Sequence, residues 1–376
     1  MLLLDKENVI SNSARKILIL SEREEIQVQI AQLLRTRGLE NIDVIKANFL
    51  TDDNISFTAE EAVGVIADIR NETNVSVITE RVNAIVPHNM WCCTVGTSDS
   101  ISLAQRLFND GILYFNTDSQ LRQMVEEIIS ANMDISRTRH TVKICVLGCK
   151  GGLGSSFISS QIANQIAVNK KVPVLLAQGP NGSQDLDFLF DKKLQGDIVE
   201  FMPNLDLFKG ELEKLDTAAL DKYNFIVYDQ PIFNVNKDNL IKFFDYSNSF
   251  VLVAERRISS LRVAKQFLVQ CERMRQTTGK PIRTFICLSD TSQEVSKLMA
   301  KSDIETLLEC PVDAVIPYLK QTDTRNVLSV KLKRNAQTEL NNLAMKVIGV
   351  LSRTTKRSEN ASIIKSLTQL LTKLTK

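Results

Sequence analysis

Short unbroken apolar runs alternate along most of the chain with longer stretches in which apolar residues recur every three or four positions. The run KILIL (16–20) precedes EEIQVQIAQLLRTRG, where Ile26, Ile30, Leu33 and Leu34 fall at helical spacing and Gly38 supplies the stop. IDVIKA, AVGVIADI and WCCTVG follow as short β-rich runs. SISLAQRLFNDG predicts a helix ending at Gly111, ILYF a strand, and SQLRQMVEEIIS a closing helix. Strands alternating with helix-length segments predict an α/β fold whose parallel sheet is covered on both faces.

Between residues 130 and 141 the stretch SANMDISRTRHT turns polar and loses its period, which predicts a linker. A second α/β series begins at VKICVLG and continues through VPVLLA, YNFIVYDQP, SFVLVAE, IRTFICLS and DAVIPY. At 376 residues the chain exceeds one ordinary core. The expected organisation is a first domain at 1–133, a second at 141–352, and a tail at 353–376. Both domains are expected to be doubly wound around parallel sheets. In the tail, Arg353, Lys356, Arg357, Lys365, Lys373 and Lys376 face one acid, Glu359. Ile363, Ile364, Leu367, Leu370, Leu371 and Leu374 form one apolar stripe there, which predicts a C-terminal helix.

Composition narrows the class. Hydrophobic content of 44% with 24% charge excludes wholesale disorder. A net charge of +2 gives no basic excess, so no specific nucleic-acid partner is expected. The seven cysteines contain no CxxC pair and no repeated spacing, so reduced, buried thiols are expected rather than a disulfide framework or a zinc site. Leu2, Leu3 and Leu4 run at once into Asp5, Lys6 and Glu7, too short a stretch for a signal peptide, and no segment approaches the ~20 apolar residues of a spanning helix. The cytoplasm is the expected compartment. His88 and His140 stand in no acid, base or nucleophile constellation.

The chemistry concentrates in VKICVLGCKGGLGSSFISSQIANQIA. A buried strand (142–147) runs into a glycine-rich loop, and a helix opens at Ser155 or Ser156 with Phe157, Ile158, Ile162 and Ile166 on its apolar side. Phosphates need this arrangement: glycines let backbone N–H groups turn inward, and the helix N-terminus adds a favourable dipole. Cys149-Lys150-Gly151-Gly152-Leu153-Gly154-Ser155-Ser156 covers the G-x-x-x-x-G-K-[ST] spacing position by position. Cys149 replaces the first glycine, and Ser155 replaces the lysine that reaches the β- and γ-phosphates. The strongest point charge on a bound phosphate is thereby lost, so nucleotide affinity and turnover should both suffer.

KGGLGSS resembles the KGGxGKT deviant Walker A loop of the ParA/MinD group, with Lys150 at the signature lysine that crosses a nucleotide-sandwich dimer. YNFIVYDQP resembles that group's Walker B strand, with Asp229 in the position that holds Mg²⁺ through water. SFVLVAERRISSLRVAKQFL and DAVIPY resemble later segments in order. The resemblance implies ATP and Mg²⁺ as cofactors. Backbone N–H groups from Gly151 through Gly152, Leu153, Gly154, Ser155 and Ser156 to Phe157 would hold phosphate, with Lys150 acting across the dimer and Ser156 and Asp229 ordering the metal. Two further features, beyond Ser155, depart from the group. Ser289 or Leu288 stands where an asparagine reads adenine, and Ala177, Gln178 and Gly179 replace the acids after the second strand. Asp185 and Asp187 further on are read as solvent-facing loop acids, with a displaced switch loop as the other reading. At most weak ATP hydrolysis is expected, with no catalytic residue assigned.

The first series has the order and size of a response-regulator receiver domain. Ser21-Glu22 follows its first strand, Asp68 is the sole candidate phosphoacceptor, and ILYFNTD has no lysine, so it reads as a degenerate receiver used for docking or dimerisation. A receiver-like domain joined to a ParA/MinD-like domain lacking the P-loop lysine resembles the TadZ/CpaE group. This implies a homodimer that recruits tight-adherence (Flp-type) pilus assembly proteins at the cell pole. The alternative is an active ParA/MinD-type ATPase cycling on membrane or DNA. The tail stripe fits peripheral membrane contact, or packing on its own domain or on a partner.

Overall fold

A computed structural model describes residues 16–130, 139–295, 298–319 and 326–350, without the side chains of 237 and 238. The tail at 353–376 and the opening leucines lie outside the described residues.

The first sheet is built from β1 (Lys16–Ser21), β2 (Ile42–Lys46), β3 (Ala62–Arg70), β4 (Trp91–Gly96) and β5 (Leu113–Asn116). Between them run α1 (Glu24–Thr36), α2 (Val75–Ile85) and α3 (Ile101–Asn109), and α4 (Leu121–Ile129) follows. All its strand pairs are parallel, in the order β2-β1-β3-β4-β5. That is the flavodoxin-type doubly wound order. Residues alternate between faces along each strand. Ile17 and Ile19 point to the α1 and α4 side, whereas Leu18 and Leu20 point to the α2 and α3 side.

The sequence pattern did not single out α2. VSVITERVNAI is rich in β-branched residues, which lower helix propensity. Tertiary burial decides here: seven of its residues are buried, and the Asn74 side chain caps it by accepting from the Ser76 amide at 3.1 Å.

The second sheet contains β6 (Val142–Gly148), β7 (Val174–Gln178), β8 (Val199–Met202), β9 (Leu205–Lys209), β10 (Phe225–Pro231), β11 (Ser249–Ala254), β12 (Arg283–Ser289) and β13 (Ala314–Ile316). Its helices are α5 (Ser155–Lys170), α6 (Leu186–Phe190), α7 (Thr217–Asp221), α8 (Phe243–Tyr246), α9 (Ile258–Thr278), α10 (Lys301–Leu308) and α11 (Arg334–Val347). The order is β13-β12-β11-β6-β10-β7-β9-β8, parallel throughout except for β8, which runs antiparallel to β9. The sequence pattern does not predict the β8–β9 hairpin. Its strands are only four and five residues long, and Asn204, at φ +64°, turns the chain between them. Both faces of the sheet are covered. Ile158, Ile162 and Ile166 of α5 pack with Leu340 and Leu343 of α11 on one side, and Leu261, Ala264 and Phe267 of α9 line the other.

The two sheets share one buried apolar cluster, which runs from Leu18, Val65 and Val82 to Ile144, Ile162 and Phe225. Polar side chains stitch the same seam. Asn224 donates to the carbonyls of Asn83 (2.8 Å) and Val86 (2.7 Å) and accepts from the His88 amide (2.9 Å). Arg139, expected within a polar linker, is instead buried and donates to the carbonyls of Val86, Pro87 and Met90. At the far end of α5, Lys170 donates to the carbonyl of Asp53 at 2.6 Å. All seven cysteines are free and six are buried, as their apolar surroundings predicted.

Candidate nucleotide site

β6 is a wholly apolar run once inside the sheet, and it delivers the glycine loop to the carboxyl edge between β10 and β11. There the Cys149 amide donates to Val253 O and the Ile232 amide to Gly148 O, each at 2.9 Å. This is the edge at which open α/β sheets bind ligands. Cys149 tolerates the place of a glycine because its side chain turns into the core rather than the cleft. Gly152 and Gly154 sit at φ +76° and +75°, the left-handed region that L side chains seldom adopt. Gly154 then caps α5, which opens at Ser155 as the sequence predicted.

The loop and helix start enclose a cleft of about 570 Å³. Among the described residues, the amides of Gly151, Gly152, Leu153, Gly154, Ser155, Ser156 and Phe157 donate to no protein acceptor. These are the orphan donors of a helix N-terminus and its lead-in, and an oxyanion satisfies them.

On the opposite wall, Asp229 of β10 is paired in register with Gln178 at the end of β7. The Ser156 hydroxyl donates to Asp229 Oδ2 at 2.6 Å, and Gln178 Nε2 reaches both Asp229 Oδ2 and Asp185 Oδ1 at 3.1 Å. Ser183 donates to Asp185 as well. Burial pushes the Asp229 carboxyl up to about 6, against the pull of the Ser156 and Gln178 hydrogen bonds. Asp185 therefore is not the solvent-facing acid expected from sequence: the Gln178 amide draws it into the cleft. Asp187 is the acid turned away, onto Lys209 at 2.8 Å.

Lys150 stands on the rim, and its ammonium pairs with Glu255 of its own chain at 2.5 Å. Glu255 is 4% exposed, and its second oxygen accepts from Thr291 at 2.9 Å. Burial pushes the Glu255 carboxyl up, but Lys150 and Thr291 outweigh it and hold it below its ordinary value. Ser155 makes no side-chain hydrogen bond among the described residues; its hydroxyl lies against Gly148, where an added Cβ would approach to 3.0 Å. Among the described residues lining the cleft, Lys150 is therefore the one base, and it is already paired.

A second cleft of about 810 Å³ adjoins the first, sharing Gly152, Gly154, Phe157 and Leu189 with it. Of the two candidate base readers, Leu288 is buried in the core, while Ser289 lines this cleft and donates to Leu153 O at 2.7 Å. Residue-type reasoning missed Glu255 and the bridging role of Gln178. Each had one local sign: a polar residue closing an otherwise buried strand, VLLAQ and SFVLVAE.

In the first sheet, Asp68 stands near the end of β3, but its carboxylate is taken. Arg23 contacts both oxygens at 2.8 and 2.6 Å, and Ser21 donates at 2.6 Å. Burial pushes Asp68 up; these bonds and the Arg70 amide more than reverse that and hold it below its usual range.

No protein-family model matches the chain, and no curated protein matches it. Solved structures of the ParA/MinD group are similar to it. The MinC:MinD cell division protein complex of Aquifex aeolicus is 19% identical over 56% of this chain and 96% of that one, with a TM-score of 0.46. The septum site-determining protein MinD of Pyrococcus horikoshii OT3, complexed with Mg-ADP, is 15% identical over 57% and 98%, with a TM-score of 0.43. The ParA family ATPase of Chlorobium tepidum TLS is 20% identical over 55% and 98%, with a TM-score of 0.40.

Proposed function

We propose that the chain binds a magnesium-complexed adenine nucleotide at the 150–157 loop and uses it for placement rather than turnover. One observation carries this reading: the run 151–157 has seven unspent amides, six of them on residues that line the cleft, and no unpaired cation lines it. Ser155 stands where a lysine would, and Lys150 is held by Glu255. The donor set fits the ligand. Magnesium keeps several waters and takes one or two protein oxygens beside phosphate oxygens; the Asp229 carboxylate and the Ser156 hydroxyl can supply the protein oxygens, with Asp185 nearby. Two carboxylates without a free cation repel a bare triphosphate, so the metal complex is the species favoured.

In this reading, 1–133 is a degenerate receiver-like docking domain, its acceptor position closed by Arg23, and 141–352 is the nucleotide-binding domain. The whole works as a homodimeric organiser of a tight-adherence pilus secretion system at the cell pole, with pilus assembly proteins as partners. Support for that finer role is the domain pairing together with the Ser155 substitution. The test is the nucleotide content and mass of the purified chain, followed by ATP titration and phosphate release. Expected are saturable, magnesium-dependent binding and a dimeric mass, with phosphate release far below that of a P-loop ATPase with its lysine. Absence of any nucleotide binding removes the reading. A tagged chain spread evenly through cells that lack the other pilus components removes the polar role.

A second reading, an active ATPase, draws on the Ser156–Asp229–Gln178–Asp185 cluster, which has the makings of a metal and water site. Phosphate release matching that of an intact relative would favour it.

A further inference from the structure

The amino-terminal edge of the second sheet lies at the other end of β6 from the glycine loop, about 20 Å away at 3.3 Å per residue. A cleft of about 350 Å³ opens there, where β6, β11 and β12 begin. Its walls carry Lys143, Lys280, Arg283 and His140 against a single acid, Asp245. Lys143 and Lys280 have no ion-pair partner among the described residues. Arg283 gives one nitrogen to Glu80 at 3.4 Å, which leaves most of its fork unspent. Ser249 also lines the cleft; it is 3% exposed, and its buried hydroxyl has no protein partner. Such a group calls for an oxygen, or a water held by one. Cationic side chains thus outnumber acidic ones around a hollow too small for an extended polyanion.

We propose that this cleft binds a small phosphate-bearing anion, held by Lys143, Lys280 and Arg283. Two ammonium groups supply point charge, and the guanidinium supplies a planar fork that matches phosphate oxygens. The site straddles the junction of the two sheets. Asn83 of α2 forms part of its wall, and the Arg283–Glu80 pair crosses the seam. A bound anion neutralises cations gathered there and so tightens the contact between the two halves. This site is independent of the nucleotide reading.

The test is titration of inorganic phosphate onto the full chain by calorimetry at constant ionic strength, with chloride as the comparison. Saturable binding is expected, weakened about tenfold or more, near 1.4 kcal/mol, by Lys143→Gln combined with Lys280→Gln. Hydrogen exchange at residues 80–88 should slow with phosphate in the parent chain and not in the variant. Lys280→Glu alone, at an exposed side chain, serves if the double variant misfolds, and it too should weaken binding. Binding no better than chloride overturns the proposal. So does unchanged affinity in the variants, which would put the phosphate in the glycine loop instead.

Discussion

The contact between Lys150 and Glu255 decides how the phosphate loop is to be read. A lysine at the rim of a glycine loop would ordinarily be counted as available charge, but a buried carboxylate with Thr291 on its other oxygen holds this one in place. Breaking such a pair leaves the buried Glu255 with only the Thr291 hydroxyl and the more distant Arg257, 3.9 Å away, so recruiting Lys150 to a ligand carries a cost. Ser155 is different, because no partner holds it and its position opens α5 beneath the orphan amides. Ser155→Lys should therefore tighten magnesium–ATP binding by about ten- to a hundredfold, the worth of one charge-assisted hydrogen bond of roughly 1.5–3 kcal/mol. Titration of the variant beside the parent checks this, and equal affinities would mean that the cradle does not hold phosphate. The loop spacing and Ser155 are readable in the sequence because a P-loop is a contiguous motif, and Asp229 because it stands in the apolar strand run YNFIVYDQP. Asp185 was not. Its inward turn depends on Gln178, seven residues back, whose amide reaches two carboxylates at once. A residue's spacing along a loop carries no record of such a bridge.

At the scale of elements, hydrophobic period found the strands that are buried on both faces and failed where burial was partial or borrowed. β6, β10 and β11 read as continuous apolar runs because helices cover both sides of them. β8 lies at the sheet edge with mixed exposure, so its pattern carries little signal. The segment from α2 to β4 shows the converse case. There His88 is buried beneath the second sheet, and its Nδ1–H donates to the Asp221 carbonyl at 2.9 Å. Its Nε2 is enclosed without a partner. Burial, reinforced by the Arg139 charge, lowers its pKa to about 3. Below the ordinary value of 6.5 the unfolded chain takes a proton that the folded chain refuses, so the unfolded state binds more protons and stability falls on acidification. The loss approaches about 1.4 kcal/mol per pH unit between 6.5 and 3. Urea midpoints measured from pH 7 to 4.5 should fall less steeply for His88→Gln than for the parent. Parallel curves would mean that His88 is protonated as readily in the fold as outside it.

At the scale of the molecule, the two α/β series read from sequence as separate units, yet the fold joins them through a common core. Leu18, Val65 and Val82 from one sheet and Ile144, Ile162 and Phe225 from the other belong to a single buried cluster. Asn224 and Arg139 cap carbonyls across it. None of this was legible, because local period reports which face of an element is apolar but not which distant element covers it. Arg139 looked like linker polarity, and Asn224 looked like the lead-in to a strand. Since each half buries apolar surface against the other, neither can unfold without exposing part of its neighbour's core. Calorimetry should therefore show one cooperative transition, not two. Asn224→Ala removes a buried amide that serves two carbonyls and one N–H, and leaving those groups unpaired should cost about 3 kcal/mol. Because that cost falls on the seam and not within either sheet, the variant should separate the transition into two steps. Two steps already present in the parent chain would mean that the shared cluster does not couple the halves. A variant that stays single and merely shifts would place the coupling in the apolar contacts alone.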